Sequence, residues 1–258
     1  MTVASPAPPE ASTDADVVEN ALLGGKVRLL QPARGYRAGM DAALLAAAVP
    51  ARAGDRVLEA GCGVGAVLLQ IAARCAGAQL TGLERDGVAS ALALRNAALN
   101  SMEDRIEIVA GDVASGFAAL DRPTFDWAVS NPPFFDDETA LRAPAAAKRG
   151  AWIADDGLGA WTDFVIRGVR EGGGIVVIHR ADRLADLLAL LGTRCGSFVI
   201  RPVQPFADQP SKRILVQARK AGRAPLRLLP ALILHDRSGS KHTPEAEAVL
   251  RGDSALTW

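Results

Sequence analysis

The sequence predicts an α/β fold in which a mostly parallel sheet of seven strands has helices on both faces and ends in a C-terminal antiparallel hairpin. Three observations support this fold class. Short apolar runs alternate with longer helical runs through most of the chain, as in βαβ units. One strand leads into a glycine-rich turn, and another stops at two consecutive prolines. Both turns follow strand ends, where open α/β sheets bind ligands.

Five short runs predict the central strands. They cover Arg56–Ala60, Gln79–Glu84, Arg105–Asp112, Phe125–Ser130 and Gly174–His179. The helices between and after them are expected at 66–76, Asp86–Asn100, Trp161–Arg170 and Ala181–Leu191. Phe198–Val203 and Ile214–Ala218 flank a proline-rich loop and predict the late hairpin.

Composition divides the chain into three parts. Residues 1–20 are rich in Pro, Ala and Ser and contain acids but no base, so we expect a disordered acidic arm. Residues 21–224 form the domain, which opens with a short strand or hairpin over Ala21–Leu30 and a helix over Ala42–Val49. Residues 225–258 are expected to be a C-terminal appendage.

Charge and cysteine content exclude several classes of protein. The chain has 258 residues and a net charge of zero, so any surface for nucleic acid must be a local patch. Three cysteines without paired spacing favour a reducing compartment over a disulfide framework, and no metal site is expected. No apolar run is long enough for a membrane span, and the N-terminus has no secretory signal. We expect a cytoplasmic protein.

The glycine-rich turn is Glu59-Ala-Gly61-Cys-Gly63-Val-Gly65, between a strand and a helix. Glycines permit a tight turn with close ligand approach, and the helix N-terminus favours an anionic group. Glu84 ends the next strand, where a carboxylate can accept hydrogen bonds from ribose hydroxyls, and Asp112 ends the one after. Alternatively, Glu84 and Asp112 only cap the segments that follow them.

These residues resemble the class I S-adenosylmethionine-dependent methyltransferases, which have a Rossmann-like fold, over about residues 35–220. The resemblance implies that Gly61, Gly63 and Gly65 wrap the methionine portion of the cofactor and that Glu59 lies beneath it. It also implies that Glu84 binds the ribose and Asp112 lies by the adenine. A nucleotide-binding dehydrogenase is the alternative, but its G-x-G-x-x-G spacing differs and the next motif does not suit hydride transfer.

That motif is Asn131-Pro132-Pro133-Phe134, which ends the fourth predicted strand. The amino nitrogen of adenine is a poor nucleophile because its lone pair is delocalised into the ring. The Asn131 side-chain oxygen and the Pro132 carbonyl can accept hydrogen bonds from its two N–H groups, while Phe134 stacks on the base. The alternative is a simple turn after a strand. We predict that Asn131, Pro132 and Phe134 are catalytic and that Asn131 also borders the cofactor.

The motif resembles those of methyltransferases that act on amino groups of adenine, ribosomal RNA guanine or release-factor glutamine. The segment Tyr36-Arg37-Ala-Gly-Met-Asp41 resembles the N-terminal part of bacterial tRNA (adenine-N6)-methyltransferases that modify a valine tRNA. This resemblance implies that Tyr36, Arg37 and Asp41 contact the cofactor, although Asp41 alone could equally be a helix-start residue. It also implies methylation of adenine-N6 in tRNA. Two alternatives stay open: N-methylation of ribosomal guanine, protein glutamine or a small aromatic, and a non-catalytic module that binds S-adenosylmethionine or RNA.

A basic stretch offers a candidate RNA surface. Residues 194–227 contain eight Lys or Arg and one acid, and Lys148 and Arg149 follow the catalytic loop. Lys148, Arg149, Lys212 and Arg213 are predicted to contact RNA phosphates. The alternative is an edge hairpin protected from aggregation by charge. His235 and Asp236 are interpreted as a polar turn rather than as RNA contacts.

Overall fold

The computed structural model describes residues 17–34, 37–133, 157–237 and 239–258. The strands are β1 (Val17–Leu22), β2 (Val27–Pro32), β3 (Arg56–Ala60), β4 (Gln79–Glu84), β5 (Ile106–Ala110), β6 (Phe125–Ser130), β7 (Val169–Arg180), β8 (Cys195–Gln204), β9 (Arg213–Lys220), β10 (Arg227–Leu228) and β11 (Leu232–Ile233). The α-helices are α1 (Met40–Ala47), α2 (Ala66–Arg74), α3 (Gly87–Leu99), α4 (Leu158–Gly168), α5 (Leu184–Leu191) and α6 (Pro244–Arg251).

The main sheet has the strand order β10-β8-β9-β7-β6-β3-β4-β5, and β11 also pairs with β8. Strands β3 to β7 run parallel to one another, whereas β9 is antiparallel to both β7 and β8. The predicted seven strands and C-terminal hairpin are therefore confirmed, with β10 and β11 added as two-residue strands. The chain leaves β3 toward β4 and β5, then returns to place β6 on the other side of β3. Such a reversal of strand order is where open α/β sheets bind ligands.

Helices cover both faces because the central strands are apolar on both sides. Val57 belongs to a core shared with α1 and α2, while the next residue, Leu58, belongs to a core shared with α4 and α5. The run Ile175–Ile178 in β7 is almost completely buried. Burial on both faces explains why these strands are continuous apolar runs rather than alternating ones.

Strand β7 begins earlier than predicted. The expected helix to Arg170 ends instead at Gly168, and Val169 already pairs with Phe125. The register between β6 and β7 shifts between Phe125 and Trp127. This irregularity lets β7 extend to twelve residues, which local sequence pattern alone does not indicate.

The N-terminal hairpin corrects the predicted boundary of the acidic arm. Val17–Leu22 forms β1 and pairs antiparallel with β2, so residues 17–20 are not part of a disordered arm, and residues 1–16 lie outside the described residues. Arg28 binds Glu19 across the hairpin at 2.7 Å. The expected hairpin around Ala21–Leu30 is confirmed.

Asn96 on α3 and Asn100, the residue that follows this helix, attach the hairpin to the domain. Asn96 is completely buried, and its amide accepts from Leu30 N at 2.7 Å and donates to Leu30 O at 2.8 Å. Asn100 makes the same pair of bonds to the backbone of Arg28, at 2.8 and 2.7 Å. The side chains therefore satisfy backbone groups of β2 that have no strand partner on that side.

The C-terminal segment belongs to the same core rather than to an appendage that starts at residue 225. Strands β10 and β11 both pair with β8, and Leu232, Val249 and Leu256 lie in the core with α1. The Trp258 indole nitrogen donates to Ala48 O at 2.6 Å. The predicted boundary therefore has no counterpart in the packing.

Candidate functional site

The glycine turn and the Asn131-Pro132 turn start side by side. Ala60, the last residue of β3, is paired with Ser130, the last residue of β6. The Ser130 hydroxyl also donates to Ala60 O at 3.3 Å. Because adjacent strands lie about 4.8 Å apart, Gly61 and Asn131 leave the sheet as neighbours at its carboxyl edge. This edge is the reversal point of the strand order.

The glycine turn is closed by backbone hydrogen bonds. Gly61, Gly63 and Gly65 have φ values of 68°, 54° and 82°, the left-handed region in which glycine is favoured. Cys62 N donates to Leu83 O at 3.0 Å, and Gly65 N donates to Cys62 O at 2.9 Å. The space around a Cβ at Gly63 is open, so a ligand can approach this backbone closely.

Glu84 lies directly beside the turn. Its Oε2 accepts from Gly63 N at 2.8 Å, and its Oε1 accepts from Arg85 N and Asp86 N at 2.9 and 2.8 Å. Since a carboxylate has about four acceptor positions, these bonds leave room for a further hydroxyl donor. The helix after it is capped by Asp86, whose Oδ1 accepts from Val88 N and Ala89 N, so Glu84 is not the helix cap.

Glu59 is buried beneath the turn with 2% of its surface exposed. Burial, and secondarily the nearby charge of Glu84, raises the pKa of the Glu59 carboxyl well above its usual range. Its Oε2 has no hydrogen-bond partner among the described residues. A buried polar atom of this kind fits a site completed by a ligand with a polar group.

Asp112 has two structural contacts. Its Oδ1 accepts from Ala114 N at 2.9 Å, and its Oδ2 is 3.2 Å from the Arg85 guanidinium. The capping interpretation is therefore confirmed for the turn that follows β5. Asp112 still lies at the same carboxyl edge as Glu84, because β4 and β5 are parallel neighbours.

The N-terminal candidates are only partly described. Tyr36 lies outside the described residues, as do Phe134, Lys148 and Arg149. Arg37 is exposed and donates to the Asn20 side chain at 2.8 Å. Asp41 lies in the first turn of α1, where its carboxylate binds the Arg213 guanidinium at 2.9 Å. The structure therefore joins a predicted cofactor residue to a predicted RNA residue.

Comparisons with known proteins agree with this geometry. Residues 37–148 match the model of the methyltransferase small domain. A tRNA1(Val) (adenine(37)-N6)-methyltransferase from Dickeya chrysanthemi is 31% identical over 208 residues, which cover 78% of this chain and 81% of that protein. A protein of the same name from Yersinia pestis is 37% identical over 193 residues, covering 72% and 75%.

The chain belongs to the tRNA1(Val) (adenine(37)-N6)-methyltransferase family. The crystal structure of a predicted O-methyltransferase from Agrobacterium tumefaciens is also similar, with a TM-score of 0.71 and 26% identity over 84% of this chain and 98% of that one. A Thermotoga maritima S-adenosylmethionine-dependent O-methyltransferase shares the fold, with a TM-score of 0.53 and 16% identity over 74% and 69%. The protein is therefore an S-adenosylmethionine-dependent methyltransferase with a Rossmann-like fold.

The residues of this methyltransferase fit that cofactor. The open backbone at Gly63, the carboxylate of Glu84 and the unpartnered Oε2 of Glu59 surround one end of the sheet. The backbone at Gly63 suits close approach of a ligand, and the Glu84 carboxylate suits ribose hydroxyls. The Glu59 oxygen suits a positively charged or hydrogen-bonding group. No cluster of metal-ligating side chains occurs in the described ranges, and none of the helices described there is long and apolar enough to cross a membrane.

Trp161 has a role in packing the glycine-rich turn that the sequence did not predict. An added Cβ at Gly61 would lie 2.2 Å from the Trp161 ring, so the half-buried indole of α4 packs directly on the glycine turn. In the sequence, Trp161 marks only the start of a predicted helix. Only the tertiary structure shows that the indole covers the backbone at the junction with Asn131.

The predicted basic stretch is divided between the two edges of the sheet. Lys212 and Arg213 lie at the carboxyl edge, because Arg213 is paired with Arg180 at the end of β7. The other cluster lies near the amino edge, where Cys195 pairs with Lys220. It contains Arg194, Arg219, Lys220, Arg223 and Arg227. The charge of residues 194–227 therefore does not form one surface.

Two arginines that the sequence reasoning missed lie at the carboxyl edge. Arg180 ends β7 and Arg183 follows it, and their charges, with that of Arg213, act on the buried His179. Burial and these cations lower the pKa of His179 to about 4, so its ring is neutral at physiological pH. Asp182 and Asp186 pair with Arg180 and Arg183 and reduce the net charge of this cluster.

Proposed function

We propose that this enzyme methylates the N6 amino group of an adenine in tRNA, the reaction for which its relatives are named. The observation that supports the proposal is the pairing of Ala60 with Ser130. Because of this pairing, the glycine-rich turn and the Asn131-Pro132 turn begin on adjacent strands. An acceptor for an amino group therefore lies next to the site that fits the methyl donor. A tRNA substrate also agrees with the cytoplasmic location expected from the cysteine content.

S-adenosylmethionine supplies a methyl group that is electrophilic because it is bonded to a sulfonium. The Asn131 side-chain oxygen and the Pro132 carbonyl accept hydrogen bonds from the two N–H groups of the adenine amine. These bonds orient the nitrogen lone pair toward the methyl group. Pro132 is suited to this because its fixed φ and the following proline restrict the direction of its carbonyl. The amino nitrogen would take the methyl group in place of one of its protons, with S-adenosylhomocysteine as the leaving group and the proton passing to solvent. Positioning and electrostatics supply most of the acceleration.

The carboxyl edge also offers contacts for the RNA backbone. Lys212 is exposed there, and Arg180, Arg183 and Arg213 lie close by. We propose that Lys212 contacts phosphate directly. Arg213 also has a structural role, since it already binds the half-buried Asp41 carboxylate.

Nucleoside mass spectrometry tests the substrate. Total tRNA from cells with and without the gene is digested, and N6-methyladenosine is quantified. We expect it to disappear from the valine tRNA of the deletion strain and to return on complementation with the intact gene. Unchanged N6-methyladenosine would refute the adenine substrate, whereas lost methylation of a guanine or a glutamine would identify one of the other acceptors.

Asn131→Ala tests the assignment of the two turns. Removing the amide oxygen should lower kcat by about 100-fold or more, the size typical of losing one transition-state hydrogen bond, while the affinity for S-adenosylmethionine changes little. Calorimetry measures the affinity, and single-turnover methylation measures the rate. Asn131→Asp is the matched control, because it keeps acceptor oxygens at the same reach and should retain more activity than alanine. A large loss of cofactor affinity with an unaltered methylation rate would show that the assignment is reversed.

A further inference from the structure

A second pocket opens at the carboxyl edge, on the far side of β9 from Asn131. It has a volume of about 410 Å³, and its walls are the turn after β8 and the segment after β11. Phe206 and Asp208 come from the first wall, and His235, Asp236 and Arg237 from the second. None of these residues belongs to the cofactor site or to the Asn131-Pro132 turn.

A row of planar side-chain groups lies at the pocket. The Arg237 guanidinium lies 4.9 Å from the centre of the Phe206 ring. The Phe206 and His235 rings are 5.4 Å apart and tilted by 44°, and His235 stacks on His242 at 5.2 Å with an interplanar angle of 26°. Asp208 binds the Arg237 guanidinium at 3.0 Å and so fixes its orientation. Such a group of neighbouring planar side chains is suited to another flat, aromatic group.

Backbone hydrogen bonds hold the two walls together. His235 N donates to Pro205 O at 2.9 Å, and Leu234 N donates to Gln204 O at 2.9 Å. The His235 Nδ1 is 2.8 Å from Lys241 O, and the Thr243 hydroxyl donates to Ile233 O at 2.7 Å. The pocket is therefore preformed, and binding there does not require the walls to be ordered first.

The position of the pocket relates it to the methylation site. Val203, at the end of β8, is level with Arg213 and Arg180, so this pocket and Asn131 open on the same edge of the sheet. Three strand spacings separate β8 from β6, which is roughly 14 Å at about 4.8 Å a spacing. That distance corresponds to a few nucleotides of single-stranded RNA. Lys212, in the connection from β8 to β9, and Arg213, at the start of β9, lie between the two sites.

We propose that this pocket, referred to below as the stacking pocket, binds an unpaired nucleobase of the substrate RNA a few nucleotides from the methylated adenine. The base stacks on Phe206 or on the outer face of the Arg237 guanidinium, as bases do on aromatic and guanidinium planes in single-stranded RNA recognition. Asp208 and Asp236 provide carboxylates that can accept hydrogen bonds from the base edge. The inference rests on the proposed tRNA substrate.

Phe206→Leu tests the stacking pocket, since leucine keeps an apolar side chain but removes the flat ring. The probe is a synthetic RNA hairpin with the sequence of the anticodon arm of a valine tRNA. We expect KM and Kd for this RNA to rise about tenfold, the effect of losing roughly one base–aromatic stack, with kcat and cofactor affinity unchanged. Arg122→Gln is the control, because it removes an ion-paired arginine just before β6, on the opposite edge. Thermal unfolding checks that both variants remain folded.

A series of hairpins, each with one abasic site near the target adenine, identifies the base. One abasic position should weaken binding as much as Phe206→Leu does, and the two changes together should cost no more than either alone. Two outcomes would refute the stacking pocket while the wild-type enzyme still methylates the hairpin and the proposed function stands. In the first, Phe206→Leu binds the hairpin within twofold of wild type. In the second, the losses of affinity from Phe206→Leu and from the abasic site multiply at every position. If the wild-type enzyme neither binds nor methylates the hairpin or whole tRNA, both proposals fail together.

Discussion

Gly61 and Gly63 both have a positive φ, but only Gly61 is covered by another side chain. A Cβ at Gly61 would overlap the Trp161 ring at 2.2 Å, whereas a Cβ at Gly63 would point into open space. The two positions therefore separate the effect of packing from that of cofactor approach. The sequence motif does not distinguish the roles of these two glycines. The position of α4 in the fold does.

We expect Gly61→Ala to lower the free energy of unfolding by about 2–4 kcal/mol, because left-handed strain adds to overpacking against Trp161. Gly63→Ala should cost only about 1–2 kcal/mol, the strain alone, yet it should weaken S-adenosylmethionine binding because its methyl group enters the open space. Denaturant unfolding and calorimetry measure the two quantities. Equal losses of stability in the two variants would contradict the packing of Trp161 on Gly61.

Helix α3 connects the N-terminal hairpin to the glycine-rich turn through the side chain of Asn96. The same amide that binds Leu30 on β2 also donates to Val64 O, inside the glycine turn, at 2.9 Å. Asn100, one helical turn later, binds β2 in the same way but reaches no residue of the turn. Because one buried side chain serves both segments, order in the hairpin is coupled to the shape of the turn.

Asn96→Asp replaces the two N–H donors by a carboxylate oxygen that faces two carbonyls. We expect a loss of about 3 kcal/mol or more in the free energy of unfolding and a weaker affinity for S-adenosylmethionine. Asn100→Asp is the control, and it should reduce stability without changing cofactor affinity by more than twofold. If both variants lose affinity equally, the link through Val64 is not what shapes the turn.

At the scale of the whole molecule, His179 makes stability depend on pH. The His179 pKa is lowered to about 4 in the folded protein from 6.5 in an unfolded chain, so the unfolded state binds the proton more readily. The contribution of the neutral His179 ring to the free energy of unfolding is therefore present in full above about pH 6.5. It is lost as the pH falls toward 4. From the size of this shift it amounts to about 3 kcal/mol.

His179→Gln should flatten this part of the stability profile. Denaturant unfolding at several pH values between about 7 and 4 should show a smaller loss of stability in the variant than in the wild type. Parallel profiles for His179→Gln and the wild type would contradict a neutral, buried histidine at the end of β7.

The division of basic charge between the two edges also belongs to the whole molecule. Lys212→Gln should reduce the slope of log Kd for tRNA against log salt by about one, the value for one lost phosphate contact. Arg122→Gln, at the opposite edge, should leave the slope unchanged. Lys212 is the cleaner probe than Arg213, since removing Arg213 also leaves the Asp41 carboxylate without its partner. An identical slope for Lys212→Gln and the wild type would remove Lys212 from the RNA surface.

The sheet, the glycine-rich turn and the Asn131-Pro132 turn, to which we assign the cofactor and the amino group, follow from the sequence alone. Each is a local pattern, namely a short apolar run followed by glycines, an acid or a proline pair. The carboxyl ends of parallel strands share one edge, so Gly61, Glu84 and Asn131 could be assigned to one site before their contacts were known.

Only the tertiary structure decided which of these residues are neighbours. The order of β3 and β6, the Asp41–Arg213 pair and the cover that Trp161 provides on Gly61 join positions far apart in the chain. The same is true of the stacking pocket, whose two walls come from separate segments. Such contacts depend on strand order and packing, which local propensity does not encode, and this is why a continuous basic stretch in the sequence becomes two separate surfaces in the fold.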